Sequence, residues 1–67
     1  MNLKKLKGRL AEEDYTKSRL ARELGVSPAT ITKKLSGERE FTVAEAEKIC
    51  GLVGITDPAE KVDIFLQ

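Results

Sequence analysis

Apolar residues recur along this chain at helical rather than strand spacing. Leu3, Leu6 and Leu10 stand at i, i+3 and i+7 with Lys4, Lys5, Lys7 and Arg9 between them, which predicts a first helix over 2–13. Leu20, Ala21 and Leu24 form the inner stripe of a second helix over 17–24, and Ile31 and Leu35 that of a third over 28–36. Val43, Ala46, Ile49, Cys50 and Val53 predict the buried face of a fourth helix, and Val62, Phe65 and Leu66 the apolar face of a fifth over 58–66, with Ile55 leading in. The expected architecture is all-α, five helices in one domain over 1–67.

Local signals agree with that division. Thr16, Ser27, Thr42 and Asp57 are cap residues placed just before the last four helices. Tyr15 with Leu20, and Val26 with Ile31, have the spacing of a hydrophobic staple. Pro28 and Pro58 occupy first helical positions, where a missing N–H costs nothing. Thr42 and Glu45 have capping-box spacing, and Asp57 with Glu60 repeats it. Gly25 and Gly54 follow the last apolar residues of their helices, where a left-handed residue ends a helix. Phe41 is expected to anchor the polar connection 36–40 to the core. Gly8, inside the first helix, should cost about 1 kcal/mol against alanine, so close packing or a weak start is expected there. Gly51 has no reading.

The two short helices over 17–24 and 28–36, joined at Gly25 with small Ala21 where they must cross, read as a helix-turn-helix. On a helical wheel, Ile31 and Leu35 define the inward direction of the third helix; Ala29 and Lys33 point nearly opposite, with Thr30 and Ser36 at the flanks. A compact outward face near a helix N-terminus suits the DNA major groove. Lys33 is a candidate donor to guanine O6 or N7, Thr30 to a base or phosphate, and the Ala29 methyl a contact for a thymine methyl. Pro28 can make only apolar contacts. Lys17 and Ser18, in the first turn of the preceding helix, are candidates for phosphate, as are Lys34, Ser36 and Arg39. Arg19 and Arg22 rank below them because surface acids compete. The plain alternative is that Ala, Thr and Lys are ordinary surface residues on a two-helix corner.

Charge sharpens the picture slightly. The formal net charge is only +1, but residues 1–40 carry ten Lys/Arg against six Asp/Glu, while 41–67 carry two lysines against five acids. A basic front and an acidic back suit a module that turns one face to phosphates. The lysines of the first helix are either part of that face or simply solvated. With no histidine and one cysteine, neither a histidine base, zinc ligation nor an internal disulfide is available, and the carboxylates form no paired site. Cys50 reads as a small core residue. No enzyme activity, metal, cofactor or small-molecule ligand is expected. No apolar run approaches a membrane span and no signal peptide is visible, so the expected location is the cytoplasm.

The stretch T-K-S-R-L-A-R-E-L-G-V-S-P-A-T-I-T-K-K-L-S-G resembles the XRE, or lambda-repressor-like, helix-turn-helix domain of phage and bacterial repressors. The ending F-T-V-A-E-A-E-K-I-C … I-T-D-P-A-E-K-V-D-I-F-L is similar to small Cro-like repressors of phages of Gram-positive bacteria. The resemblance implies a five-helix domain that binds double-stranded operator DNA, usually as a homodimer on a near-palindromic site. By family position the base readers would be Pro28, Ala29, Thr30 and Lys33, with Lys17 near phosphate. Two positions depart from the pattern. Pro28 stands where the family often has a long polar residue. Lys34 stands where it commonly has an apolar one, which suggests a slight rotation of the reading helix. Val62, Phe65 and Leu66, at the C-terminal end, are candidate dimer contacts. The expected role is a transcriptional repressor, an intact small protein rather than an excised domain; the alternative is a protein-interaction module, an anti-repressor or modulator that holds another repressor.

Overall fold

A computed structural model describes residues 1–66, which form five helices: α1 Leu3–Glu12, α2 Lys17–Leu24, α3 Pro28–Leu35, α4 Val43–Val53 and α5 Pro58–Phe65. No strand occurs among the described residues. Each helix begins where a side chain satisfies a backbone donor that would otherwise have no intrahelical partner. Thr16 accepts from the Arg19 N–H, Ser27 from Thr30 and Asp57 from Ala59, at 3.0–3.1 Å. At α4 the capping box closes in both directions: Thr42 accepts from the Glu45 N–H at 3.1 Å, and the Glu45 carboxylate from the Thr42 N–H at 2.8 Å. Asn2, unremarked in the sequence, caps α1 through Lys5 N–H.

The core gathers Leu6 and Leu10 of α1, Leu20 and Ala21 of α2, Ile31 and Leu35 of α3, Phe41 of the connecting loop, Ile49, Cys50 and Val53 of α4, then Ile55 and Ile64. Phe41 thus anchors the loop as expected. Cys50 lies inside, where burial pushes its thiol pKa up.

Two stripes differ from the sequence expectation. Val43 is 78% exposed, because the first turn of α4 stands outside the core, and Ala46 is half-buried. On α5 the inward residue is Ile64, at 1% exposure; Val62 and Leu66 lie two residues to either side, hence nearly opposite on the wheel, at 45% and 77% exposure. Phe65 is half-buried between those faces. The docking of α5 on α1 decides this rotation: the Asn2 N–H donates to the Ile64 carbonyl at 2.6 Å, and Lys5 pairs with Asp63.

Arg9 joins three elements. Its Nη2 donates to the Val53 carbonyl at 2.8 Å, its Nε faces Glu60 Oε1 at 2.9 Å, and its Nη1 lies 3.1 Å from Glu12 Oε2. Arg9 and Lys5 therefore serve the α1–α5 contact. Gly8 does not serve close packing: a Cβ there would meet nothing within 4 Å, and the same holds at Gly51. No helix among the described residues is long and apolar enough to cross a membrane.

Candidate nucleic-acid interface

The helix pair α2–α3 is built from its turn outward. Gly25 adopts φ +71°, a conformation a Cβ would strain, and lets the Val26 N–H reach back to the Ala21 carbonyl at 3.0 Å. Val26 packs against the core, so the chain turns at once into Ser27 and the start of α3. Ala21, 1% exposed, leaves room for the neighbouring helix. Ile31, Lys34 and Leu35 then form the inner side of α3 at 0%, 8% and 5% exposure.

This inner side fixes the outer one. Pro28, Ala29, Thr32, Lys33 and Ser36 are exposed, and Thr30 is half-buried. Lys33 makes no ion pair among the described residues, whereas the neighbouring hydroxyls are engaged locally. Thr32 donates to the Pro28 carbonyl at 3.1 Å, Ser36 to the Lys33 carbonyl at 2.9 Å, and Thr30 shares a 2.9 Å hydrogen bond with Ser27. Thr32 and Ser36 keep acceptor capacity, but their protons point into the helix. Lys33 is left as the long donor of this face.

At the start of α2, Lys17 and Ser18 are exposed, and their amides belong to the first turn, which has no intrahelical acceptors. Arg19 stacks over the Tyr15 ring at 4.4 Å, so its guanidinium is held against the loop that precedes α2. Arg22 is exposed on α2. Arg39 is exposed in the connection after α3. That connection folds back on α3: the Glu38 and Arg39 N–H groups both donate to the Lys33 carbonyl, at 3.0 and 3.2 Å.

Lys34 has a different place from the other candidate phosphate ligands. Its ammonium donates to Glu45 Oε1 at 2.5 Å and lies 5.7 Å from the centroid of the Phe41 ring. An ammonium buried and neutralised in this way reaches a phosphate only by breaking its pair. Its position also removes the reason for a rotated helix, since Lys34 fills the inward site with its stem and Ala29 and Lys33 keep their outward direction. Burial alone pushes the Glu45 carboxyl up, but hydrogen bonds from Lys34 and Thr42 and the Lys34 charge outweigh it and hold the group below its ordinary value. The spacing 31/34/35 carried a signal for this arrangement, as did the acid at the third position of the α4 capping box.

No characterised protein and no solved structure gives a significant match to the chain. A family model does: that of the Cro/C1-type helix-turn-helix DNA-binding domain matches residues 5–60, from within α1 to the first turn of α5. The matched span contains the capped α2–α3 pair, its glycine turn and the outward Ala29–Lys33 face, and it covers most of the chain. By sequence and by architecture, this chain, with five helices among its described residues, belongs to the Cro/C1-type helix-turn-helix DNA-binding domain family.

Proposed function

We propose that residues 1–67 act as one unit, a Cro-like phage repressor that binds a near-palindromic operator as a homodimer with α3 in the major groove. The observation that carries the reading is the outward face of α3, where small Ala29 and the unpaired Lys33 project from a helix whose opposite side is held by Ile31, Lys34 and Leu35. In this reading Lys33 donates to guanine, Pro28 and Ala29 meet apolar base edges such as the thymine methyl, and Thr30 accepts or donates at the flank. The Lys17 and Ser18 amides, Ser36 and Arg39 hold phosphates on either side. Lys34 is left out of the phosphate set because it is buried against Glu45. Val62, Phe65 and Leu66 supply the dimer contact, supported by the exposure of Val62 and Leu66.

Selection of bound duplexes from a randomised library at moderate salt tests this directly. The expected result is an enriched palindrome with half-sites about one helical turn apart. A single enriched half-site would remove the dimer. No enrichment, with binding that disappears as salt rises, would leave only phosphate attraction and turn attention to a protein partner such as another repressor.

A further inference from the structure

Among the described residues, one charged pair is largely withdrawn from solvent. Lys34 of α3 and Glu45 of α4 keep side-chain exposures of 10% and 14%. Glu45 Oε1 receives two donors, the Lys34 ammonium and the Thr42 N–H, so the carboxylate that starts α4 also holds the last turn of α3. The intervening loop is shaped around the pair. The Gly37 N–H donates to the Lys34 carbonyl at 3.3 Å, Gly37 takes φ +86°, and a Cβ there would press on Leu3 Cδ1 at 3.3 Å. Phe41 closes over the ammonium from the far end of the loop.

Filling position 34 does not by itself require a lysine, because an apolar side chain of similar length occupies the same space; a lysine there desolvates a charge that only the Glu45 carboxylate compensates. An apolar contact is tolerant of sliding and rotation. Two hydrogen bonds meeting at one oxygen are not. Lys33, the outward donor, is the adjacent residue, and its carbonyl carries the return of the loop; any shift of Lys34 along or around α3 displaces Lys33 with it.

We propose that Lys34 and Glu45 are positioning residues for DNA reading. Their bond fixes the rotation and height of α3 against α4, and so the aim of Lys33, without either residue touching DNA. The inference rests on the reading of α3 as the major-groove helix.

The test compares Lys34→Met with Lys33→Ala on the operator duplex recovered by selection and on an unrelated duplex, over a series of salt concentrations. Circular dichroism at the assay temperature establishes that each variant is folded. Lys34→Met leaves the Glu45 carboxylate without its cation and is expected to lower the melting temperature, and, while folded, to lower the ratio of specific to non-specific affinity about tenfold, the scale of one mismatched base pair. The slope of log affinity against log salt should stay as in the wild type. A phosphate ligand would instead lose about one unit of that slope and weaken both duplexes alike; that result overturns the proposal, as does an unchanged ratio. Lys33→Ala separates the two levels. If it lowers the ratio while Lys34→Met does not, only the positioning role fails. If it too leaves the ratio unchanged, the major-groove reading of α3 fails. Should Lys34→Met not fold, Glu45→Gln, which keeps an acceptor for the Thr42 N–H but no charge for Lys34, is expected to show the same loss of ratio and serves in its place.

Discussion

The α2–α3 and α4–α5 halves treat their apolar residues differently. In α2 and α3, Leu20, Ile31 and Leu35 are buried, Leu24 and Val26 pack against them, and what faces outward is small, polar or cationic. In α4 and α5, Val43, Val62 and Leu66 remain 78%, 45% and 77% exposed beside the half-buried Phe65. These residues, with Met1, Phe41, Ala46 and Cys50, line a continuous apolar groove whose rim carries Glu47 and Lys61. One half completes its own core and offers chemistry at its surface. The other leaves apolar area of the kind a second copy would cover, which is why the dimer contact is proposed there.

The sharpest way to break this contrast lies within α5. Ile64→Ala removes a side chain that is 1% exposed and should cost about 2–5 kcal/mol, much of the stability of so small a domain. Leu66→Ala, two residues on, should stay within about 0.5 kcal/mol for the isolated protomer. Urea titration at low protein concentration measures both. Equal costs would mean that the exposed face is structural after all. Leu66→Asp should leave the protomer folded and shift sedimentation toward monomer at concentrations where the wild type associates.

Glu45 stands where the halves meet, and the next effect is expected there. Glu45→Ala takes away one side of the capping box and leaves the Lys34 ammonium buried without its counter-ion, a loss of about 3 kcal/mol. Lys34→Met should also destabilise, because it leaves the Glu45 carboxylate, 14% exposed, with only its Thr42 donor; the loss should be smaller than in Glu45→Ala, since the capping box is kept. The pair also sets a pH dependence. The Glu45 carboxyl lies below its ordinary value of 4.5 in the folded chain, so between the two values the unfolded chain binds more protons. Stability from this group is therefore complete above that ordinary range and is lost as pH falls through the folded-state value. Acid titration of the melting temperature should show a shallower fall in Glu45→Gln than in the wild type.

Lys33→Ala is the complementary experiment on the α2–α3 half. It removes an exposed side chain without an ion pair, so the melting temperature should hold, while specific DNA affinity drops by about 1–3 kcal/mol with specificity relaxed at one base position. Quantitative binding to the selected duplex and its single-base variants checks this. A loss that is uniform across the variants would make Lys33 a phosphate ligand rather than a base reader.

The parts of the molecule legible in the sequence are those decided within a few residues. Thr16, Ser27, Thr42 and Asp57 each cap the helix that follows them in the chain, and Gly25 and Gly54 end helices by local backbone conformation, so five helices and the α2–α3 turn could be read directly. The outward direction of α3 was legible too, because Ile31 and Leu35 leave little choice. What could not be read depends on contacts between distant segments. On α5 two apolar faces are possible, and α1 selects Ile64 through Asn2 and Lys5. Lys34 looks like any surface lysine until Glu45, eleven residues later, is brought beside it. Arg9 looks like part of a wet basic face until Val53 and Glu60 close on it.

The smallest expected effect separates stability from reading most cleanly. Gly8 in α1 and Gly51 in α4 are exposed and helical, a Cβ added at either would have no neighbour within 4 Å, and neither lies on α2 or α3. Alanine at either position reduces the backbone freedom of the unfolded chain and adds nothing that must be accommodated in the folded one. Each substitution should therefore stabilise by about 0.5–1 kcal/mol, raising the melting temperature by roughly 4–8 °C per kcal/mol in a domain of this size. DNA affinity and the salt slope should be unchanged, because the outward face of α3 is untouched. If Gly8→Ala or Gly51→Ala weakened specific binding while raising the melting temperature, the proposed reading face would depend on flexibility in α1 or α4, and the proposed division between a reading half and an associating half would have to be redrawn at that helix.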